Sequence, residues 1–443
     1  MTDRGEGSLL RWSGRVTDLS AADRRALLER SSGSDDAGIR ERVATIVQQV
    51  RASGDAALRS MALAFDGVTL DSLEVPRDAW HAALDALDPA LRRGMERTVA
   101  NLERVHRAFL PTAQQTESEP GIVIGRRPDP LPRVGVYAPG GRAAYPSSVL
   151  MGVVPARVAG VEEVILCSPP DRVTGRPSEV VLAAAALAGA DRVFAIGGAG
   201  AVAAMAFGTA SVPRVDRIVG PGNAYVAEAK LQVANTVGID SPAGPSELLV
   251  LGDASADAAL VARELLAQAE HDPLAAVVAV CTDTGLAARI VAELAAQLPD
   301  EPRADIAATA LAGQGAVLVV RDLAEGIALA NEYAAEHLLL LVADADAALA
   351  QLRSAGTVFV GASSSVAFGD YMTGANHVLP TGGLARSYSG LSTLDFVRWT
   401  TWQRVSPAAA ARLATDVGTF ADAEGLPGHA RAARAWAGGP ACP

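Results

Sequence analysis

The chain has 443 residues but only six histidines, and four of these lie close to a carboxylate or an amide in its second half. In "LLAQAEHDP" (265–273) Gln268 and His271 are three residues apart, so a helix would send both side chains from one face. An amide oxygen and an imidazole nitrogen placed together there would serve as donors to a divalent metal such as Zn²⁺. Pro273 should end that helix nearby and leave His271 at its C-terminal end. In "NEYAAEHLLL" (331–340) Glu336 and His337 are adjacent, where a helical pattern gives way to an apolar strand. Carboxylate and imidazole side by side can pass protons near neutral pH. The stretch "FGDYMTGANHVLPTGG" (368–383), read as a long Gly-rich loop, adds Asp370 and His377, and "AEGLPGHARA" (423–432) adds Glu424 and His429. Spacing alone therefore points to a metal site with N and O ligands, assembled from distant segments.

Sulfur ligands are not expected. The three cysteines, Cys167, Cys281 and Cys442, are far apart and form no C-x-x-C pair, a pattern that fits a reducing compartment and argues against a thiolate metal site. His81 and His106 fall in helical patterns without clustered partners and read as surface or packing residues.

The elements that must position these groups follow from periodicity. Residues 1–31 read as a short helix or N-terminal arm. From about 35 to 110 apolar residues recur at three- and four-residue spacing, as in "LRRGMERTVANLERVHRAFL". Strands and helices then alternate: "RVGVY", "EVILCS", "DRVFAI" and "DRIVG" in a first series, then "SELLVLG", "AAVVAVC", "GAVLVV", "HLLLLV" and "GTVFVG" in a second. Such alternation predicts an α/β protein with parallel sheets covered by helices. We read two α/β units in tandem, one over 137–245 and one over 246–385. The helical segment 32–136 is assigned to the second, and a helical tail spans 386–443.

Three Gly-rich turns follow strands and open helices, "APGG" (138–141), "GGAG" (197–200) and "GPGN" (220–223). Backbone N–H groups at such turns can cradle a phosphate-bearing cofactor. "GAGAVA" (198–203) also fits the dinucleotide pattern G-x-G-x-x-A, yet its acidic partner would be Asp216, which precedes the next strand instead of ending it. Half the residues are hydrophobic, 20% are charged, and the formal net charge is −12. That balance suits a folded globular protein and argues against nonspecific nucleic-acid binding. No secretory or membrane-spanning segment is apparent, so a cytoplasmic protein is expected.

Taken together, "RVGVYAPGGRAAYPSSVLM", "GPGNAYVAEAK", "AGPSELLV", "LLAQAEHD", "NEYAAEHL", "GDYMTGANHVLPT" and "AEGLPGHA" closely resemble the motifs of the histidinol dehydrogenase family. The resemblance implies roles residue by residue. Gln268, His271, Asp370 and His429 match zinc ligands, and Glu336 with His337 match the catalytic acid/base pair. Ser246, Glu424 and His377 match positions at the substrate, which the zinc ligands and His337 also border. Tyr137, Asn223 and the position of Gly200 match the nicotinamide-cofactor site. It further implies a fold of two incomplete Rossmann-like parallel-sheet domains in tandem with small helical N- and C-terminal segments, and a homodimer in which the tail of one copy completes the site of the other. The implied reaction takes L-histidinol through L-histidinal to L-histidine with two NAD⁺. One departure touches the site: the family's usual turn is Gly-Gly-Ala-Gln, with the Gln on the cofactor, whereas this chain has Gly200. Losing such a hydrogen bond typically costs about 0.5–1.5 kcal/mol. A paralogue acting on another amino or sulfonated alcohol, or a homologue that binds without turnover, remain alternatives, as do manganese or cobalt in place of zinc.

Overall fold

The computed structural model describes residues 9–30, 37–140 and 144–438. They form two compact units, Met1–Ala108 with Leu131–Phe396, and Phe109–Pro130 with Val397–Pro443.

The first unit contains two parallel sheets, as the alternation predicts. The larger has the strand order Trp12–Arg15, Gly315–Val319, Ala276–Cys281, Glu247–Gly252, His337–Leu341, Thr357–Val360. Its central strands are buried throughout, which explains why they read as unbroken apolar runs. Successive residues still point to opposite faces. Leu248 and Val250 pack with the helices Ala258–Ala269 and Thr284–Gln297, while Leu249 and Leu251 pack with Leu323–Tyr333. The smaller sheet has the order Arg192–Ala195, Glu163–Ser168, Arg133–Tyr137, Arg217–Val219, Gly238–Ile239.

Three expectations need correction. The N-terminal arm is not purely helical: Trp12–Arg15 adds an edge strand beside Gly315–Val319, and the helix Ala21–Leu28 follows. The helices of the 37–108 region pack mainly on the five-stranded half, and of the 246–385 half Pro89–Ala108 reaches Tyr371 and Met372. Ala37–Ser53 lies on Gly198–Phe207 and Ala224–Val233, Arg77–Asp85 on Glu179–Ala188, and Pro89–Ala108 on Pro146–Ala159. The physical reason is visible in those inner helices. Gly198–Phe207 is apolar all round, and nearly all of it is buried; a helix without a polar face needs a second layer over it.

The third correction concerns the tail. Its strand Val397–Val405 pairs antiparallel with Ile122–Pro130, which pairs in turn with Gln114–Glu119. This small sheet and the helices Pro407–Ala423 and Pro427–Arg434 make up the second unit. "QQTESE" is exposed at every position, so no hydrophobic alternation marks it as a strand. Cys167 and Cys281 are buried free thiols, and Cys442 lies outside the described residues. Among the described residues no helix is long and apolar enough to cross a membrane.

Candidate active site

The helix Leu323–Tyr333 ends on Ala334, whose φ of 52° makes it the one non-glycine among the described residues in the left-handed region. That conformation costs roughly 1–2 kcal/mol, and it turns the chain directly into the strand that begins at His337. Gly356 lets the next strand approach closely, since a Cβ there would lie 2.5 Å from the Glu336 carbonyl oxygen. Glu336 and His337 are thereby buried at the amino end of the six-stranded sheet.

Their geometry is fixed by one neighbour, Glu247. The backbone N–H of Glu247 donates to Glu336 Oε2 at 2.7 Å. The Glu247 carbonyl oxygen lies 2.9 Å from His337 Nδ1. A carbonyl can only accept, so Nδ1 carries the proton of that bond, and Nε2 is the nitrogen left for chemistry. Nε2 is buried without a hydrogen-bond partner, 3.5 Å from Asp370 Oδ1. Burial works against a charged ring, but the Glu336 and Asp370 carboxylates outweigh it and hold the His337 pKa well above its usual value. Burial likewise pushes the Glu336 pKa up, against the pull of His337. Two coupled groups are thus poised to exchange a proton.

Asp370 does not lie in a loop, as the Gly-rich sequence suggests, but in the last turn of a short helix, Val366–Tyr371. Glu264, on the helix that also carries Gln268, accepts the Val366 N–H at 3.1 Å and caps it. Beyond the helix the chain is clamped. Thr98 donates to the Tyr371 carbonyl at 2.6 Å, Asn101 to the Met372 carbonyl at 2.7 Å, and Asn376 to the Met151 carbonyl at 2.8 Å. His377 Nδ1 lies 2.9 Å from the Asp370 carbonyl oxygen, and burial lowers its pKa. Burial raises the Asp370 pKa, but His337, His377 and His271 outweigh it, so this carboxylate stays ionised.

Gln268 occupies the last turn of Ala258–Ala269, and His271 follows just beyond the helix end, its N–H 3.3 Å from the Gln268 carbonyl. The Gln268 side chain is buried. Its amide oxygen, the His271 imidazole at the same helix end and the ionised Asp370 carboxylate are N and O donors of the kind that suits a metal ligand set. Among the described residues no group of three or more His, Cys, Asp or Glu is complete as a metal cage. Ser246 is half-buried at the start of the strand Glu247–Gly252. Glu424 and His429 belong to the second unit and are exposed there.

The Gly-rich turns sit at the carboxyl ends of the five-stranded sheet, the usual place for ligands in open α/β sheets. They border a cavity of about 1160 Å³ lined by Tyr137, Gly197, Gly198, Gly200 and Asn223. The Tyr137 hydroxyl accepts the Gly198 N–H at 3.1 Å, and burial pushes its pKa up to about 12, so it keeps its proton. Asn223 caps the helix Ala224–Val233 through Oδ1, which leaves its NH₂ group for a ligand. A Cβ on Gly200 would lie 3.2 Å from the Met61 sulfur, so Met61 and Leu58 fill the space where a longer side chain would start. Asp216 accepts the Arg133 N–H and has a structural role instead of a ribose-binding one.

The family model described as Histidinol dehydrogenase matches residues 29–436. The chain belongs to the histidinol dehydrogenase family. It is 49% identical to the histidinol dehydrogenase of Halobacterium salinarum over 416 residues, covering 94% of this chain and 96% of that one. To the histidinol dehydrogenase of Methanosarcina barkeri it is 44% identical over 421 residues, covering 95% and 96%. The crystal structure of the histidinol dehydrogenase from Elizabethkingia anophelis superposes with a TM-score of 0.92 at 32% identity, covering 97% of this chain and 98% of that one.

Sequence reasoning missed several supports in this histidinol dehydrogenase family member. Arg30 and Glu247 look like ordinary charges in sequence and come together across 217 residues. Lys230 did carry a signal: it is the chain's single lysine, and it is buried against Asp240.

Proposed function

We propose that this chain oxidises L-histidinol to L-histidine by way of L-histidinal, as an NAD-dependent enzyme of histidine biosynthesis. The observation that carries this reading is the buried Glu336–His337 pair, its imidazole fixed through Nδ1 and its Nε2 open toward Asp370.

Gln268, His271 and Asp370 would hold zinc, with His429 supplied by the tail of a second copy in a homodimer. The metal supplies a Lewis-acid anchor for the substrate's amine and imidazole and neutralises the Asp370 carboxylate. Tyr137 and Asn223, with the Gly200 turn, would hold NAD⁺, which supplies the hydride acceptor for each oxidation. Residues 137–245 then serve the cofactor and 246–385 the metal and the chemistry. Ser246, His377 and the Glu424 of the incoming tail border the substrate.

His337 Nε2 receives the alcohol proton as the first hydride departs. Glu336 draws a proton from water so that the oxygen can add to the aldehyde carbon. His337 returns its proton to the former aldehyde oxygen as the water adds, and then deprotonates the resulting diol as the second hydride departs. One alcohol and one water thus lose two hydrides and three protons and become a carboxylate.

The deciding experiment is a steady-state assay with L-histidinol and NAD⁺, with and without a chelator. Two NADH per histidinol, abolished by the chelator and restored by zinc, is expected. Turnover of another amino or sulfonated alcohol but not histidinol would replace this substrate by that of a paralogue. Zinc binding without turnover of any alcohol would leave only a binding role.

A further inference from the structure

Glu247 is a buried carboxylate that the proposed chemistry does not use, yet both of its backbone polar groups end on the catalytic pair. Its side chain is equally committed. Oε1 accepts from Arg30 Nε at 2.8 Å and from the Gly382 N–H at 2.7 Å, and Oε2 accepts from Arg30 Nη2 at 3.0 Å. The Glu336 N–H approaches Oε2 at 3.4 Å. Arg30 uses its remaining donors on main-chain carbonyls. Nη2 reaches Tyr333 at 2.9 Å and Nη1 reaches Leu28 at 3.3 Å, while the guanidinium lies 3.5 Å over the Tyr333 ring.

We infer that Arg30 and Glu247 form a positioning pair that sets the orientation of the Glu336 carboxylate and the tautomer of His337. This rests on the catalytic reading of Glu336 and His337. Tyr333 is the last residue of the helix before the Ala334 turn, so Arg30 ties the two chain segments that meet at the site. One is the strand start that carries Glu247, and the other is the helix end that leads into Glu336. A planar guanidinium can hold a carboxylate through two parallel bonds and still present further donors, which an ammonium cannot do. Arg30 also cancels a second buried negative charge beside Glu336, which would otherwise repel it.

Stability alone does not account for the pair. A buried ion pair is often no better than apolar residues of similar volume. What apolar residues cannot supply is this set of bonds, which runs from the guanidinium through one residue to the carboxylate, the imidazole and the Gly382 backbone.

That contrast supplies the test. Arg30→Met alone strands the Glu247 charge and is expected to lower Tm, so Arg30→Met/Glu247→Leu is made to remove both charges. Holoenzyme of each variant is assayed with L-histidinol and NAD⁺, and the His337 Nδ1–H resonance is followed in ¹⁵N-histidine-labelled protein, assigned by its loss in His337→Asn. The expected result is a double variant whose Tm returns toward wild type while kcat stays at least tenfold down, KM within about threefold, and the Nδ1–H signal shifted or exchanging faster. Arg30→Lys should recover part of kcat. A double variant with wild-type kcat and an unmoved Nδ1–H signal would overturn the proposal. If the wild type itself gives no NADH from histidinol, the substrate reading falls separately, and the Nδ1–H signal still decides the positioning role.

Discussion

Lys230 and Asp240, a buried ion pair, take both backbone polar groups of Gly220 between them: Nζ donates to the Gly220 carbonyl at 2.9 Å, and Asp240 Oδ2 accepts its N–H at 2.7 Å. Gly220 has a φ of 117°, and a Cβ there would lie 2.1 Å from the Tyr137 carbonyl oxygen. The pair therefore holds the turn that brings Asn223 and Tyr137 to the same cavity. Breaking a buried pair by removing one partner typically costs about 3–5 kcal/mol. Lys230→Met should lose stability on that scale in urea unfolding and weaken NADH binding in a fluorescence titration. Lys230→Arg should not restore either, because the larger guanidinium has no room at a position only 1% exposed.

The two groups proposed as catalytic, Glu336 and His337, should separate by step. Glu336→Gln keeps an oxygen to accept the Glu247 N–H but cannot take a proton from water. It is expected to form NADH from histidinol once per substrate and to stall at the aldehyde, with kcat for histidinal falling at least a hundredfold. His337→Asn should slow both oxidations. Rapid-quench measurement of the aldehyde checks the difference, and histidinal oxidation at the wild-type rate by Glu336→Gln would refute the assignment.

The candidate site of this chain is more legible in its sequence than the scaffolding around it. Gln268 with His271 and Glu336 with His337 announce themselves because each pair is local, three residues or one residue apart, and the structure places the first at a helix end and the second at a strand start. Strands such as Glu247–Gly252 are legible because both faces are buried. Gln114–Glu119 is invisible for the opposite reason, having no buried face at all. The sequence around Asp370 reads as a loop because the helix Val366–Tyr371 is short and draws its cap from Glu264, about a hundred residues away. Arg30 and Glu247 are lost among ordinary charges until the fold shows what they touch, whereas Lys230 stands out as the single lysine without showing its partner. Local motifs encode reactive groups, whereas their orientation depends on contacts with no sequence period.

His106 gives a pH-dependent stability. It is buried on the helix Pro89–Ala108 with neither ring nitrogen partnered, and burial lowers its pKa to about 4. The unfolded chain binds this proton near pH 6.5 and the folded chain does not until about pH 4. Its contribution is therefore complete above pH 6.5 and is lost as the pH falls to 4, a change of about 3 kcal/mol at 1.36 kcal/mol per unit. Urea unfolding of wild type and His106→Leu across this range isolates the effect from the carboxylates. The wild-type curve should fall more steeply by that amount, and parallel curves would contradict it.

The proposal that two copies share a metal site can be tested by complementation. Gln268, His271 and Asp370 lie in the first unit, whereas Glu424 and His429 are exposed in the second, as suits side chains offered to another copy. His429→Ala and His271→Ala homodimers should each bind zinc at least tenfold more weakly, measured by metal content after dialysis against a graded chelator, and should each be nearly inactive. A mixed dimer has a different composition. One of its sites combines the intact His271 of the His429→Ala chain with the intact His429 of the His271→Ala chain, and the other site lacks both. Random reassortment of equal amounts makes about half the dimers mixed, each with one working site of two, so activity should recover to about a quarter of wild type. If each chain supplied its own His429, no combination of these two variants would rebuild a site, and activity would stay at the level of the separate homodimers.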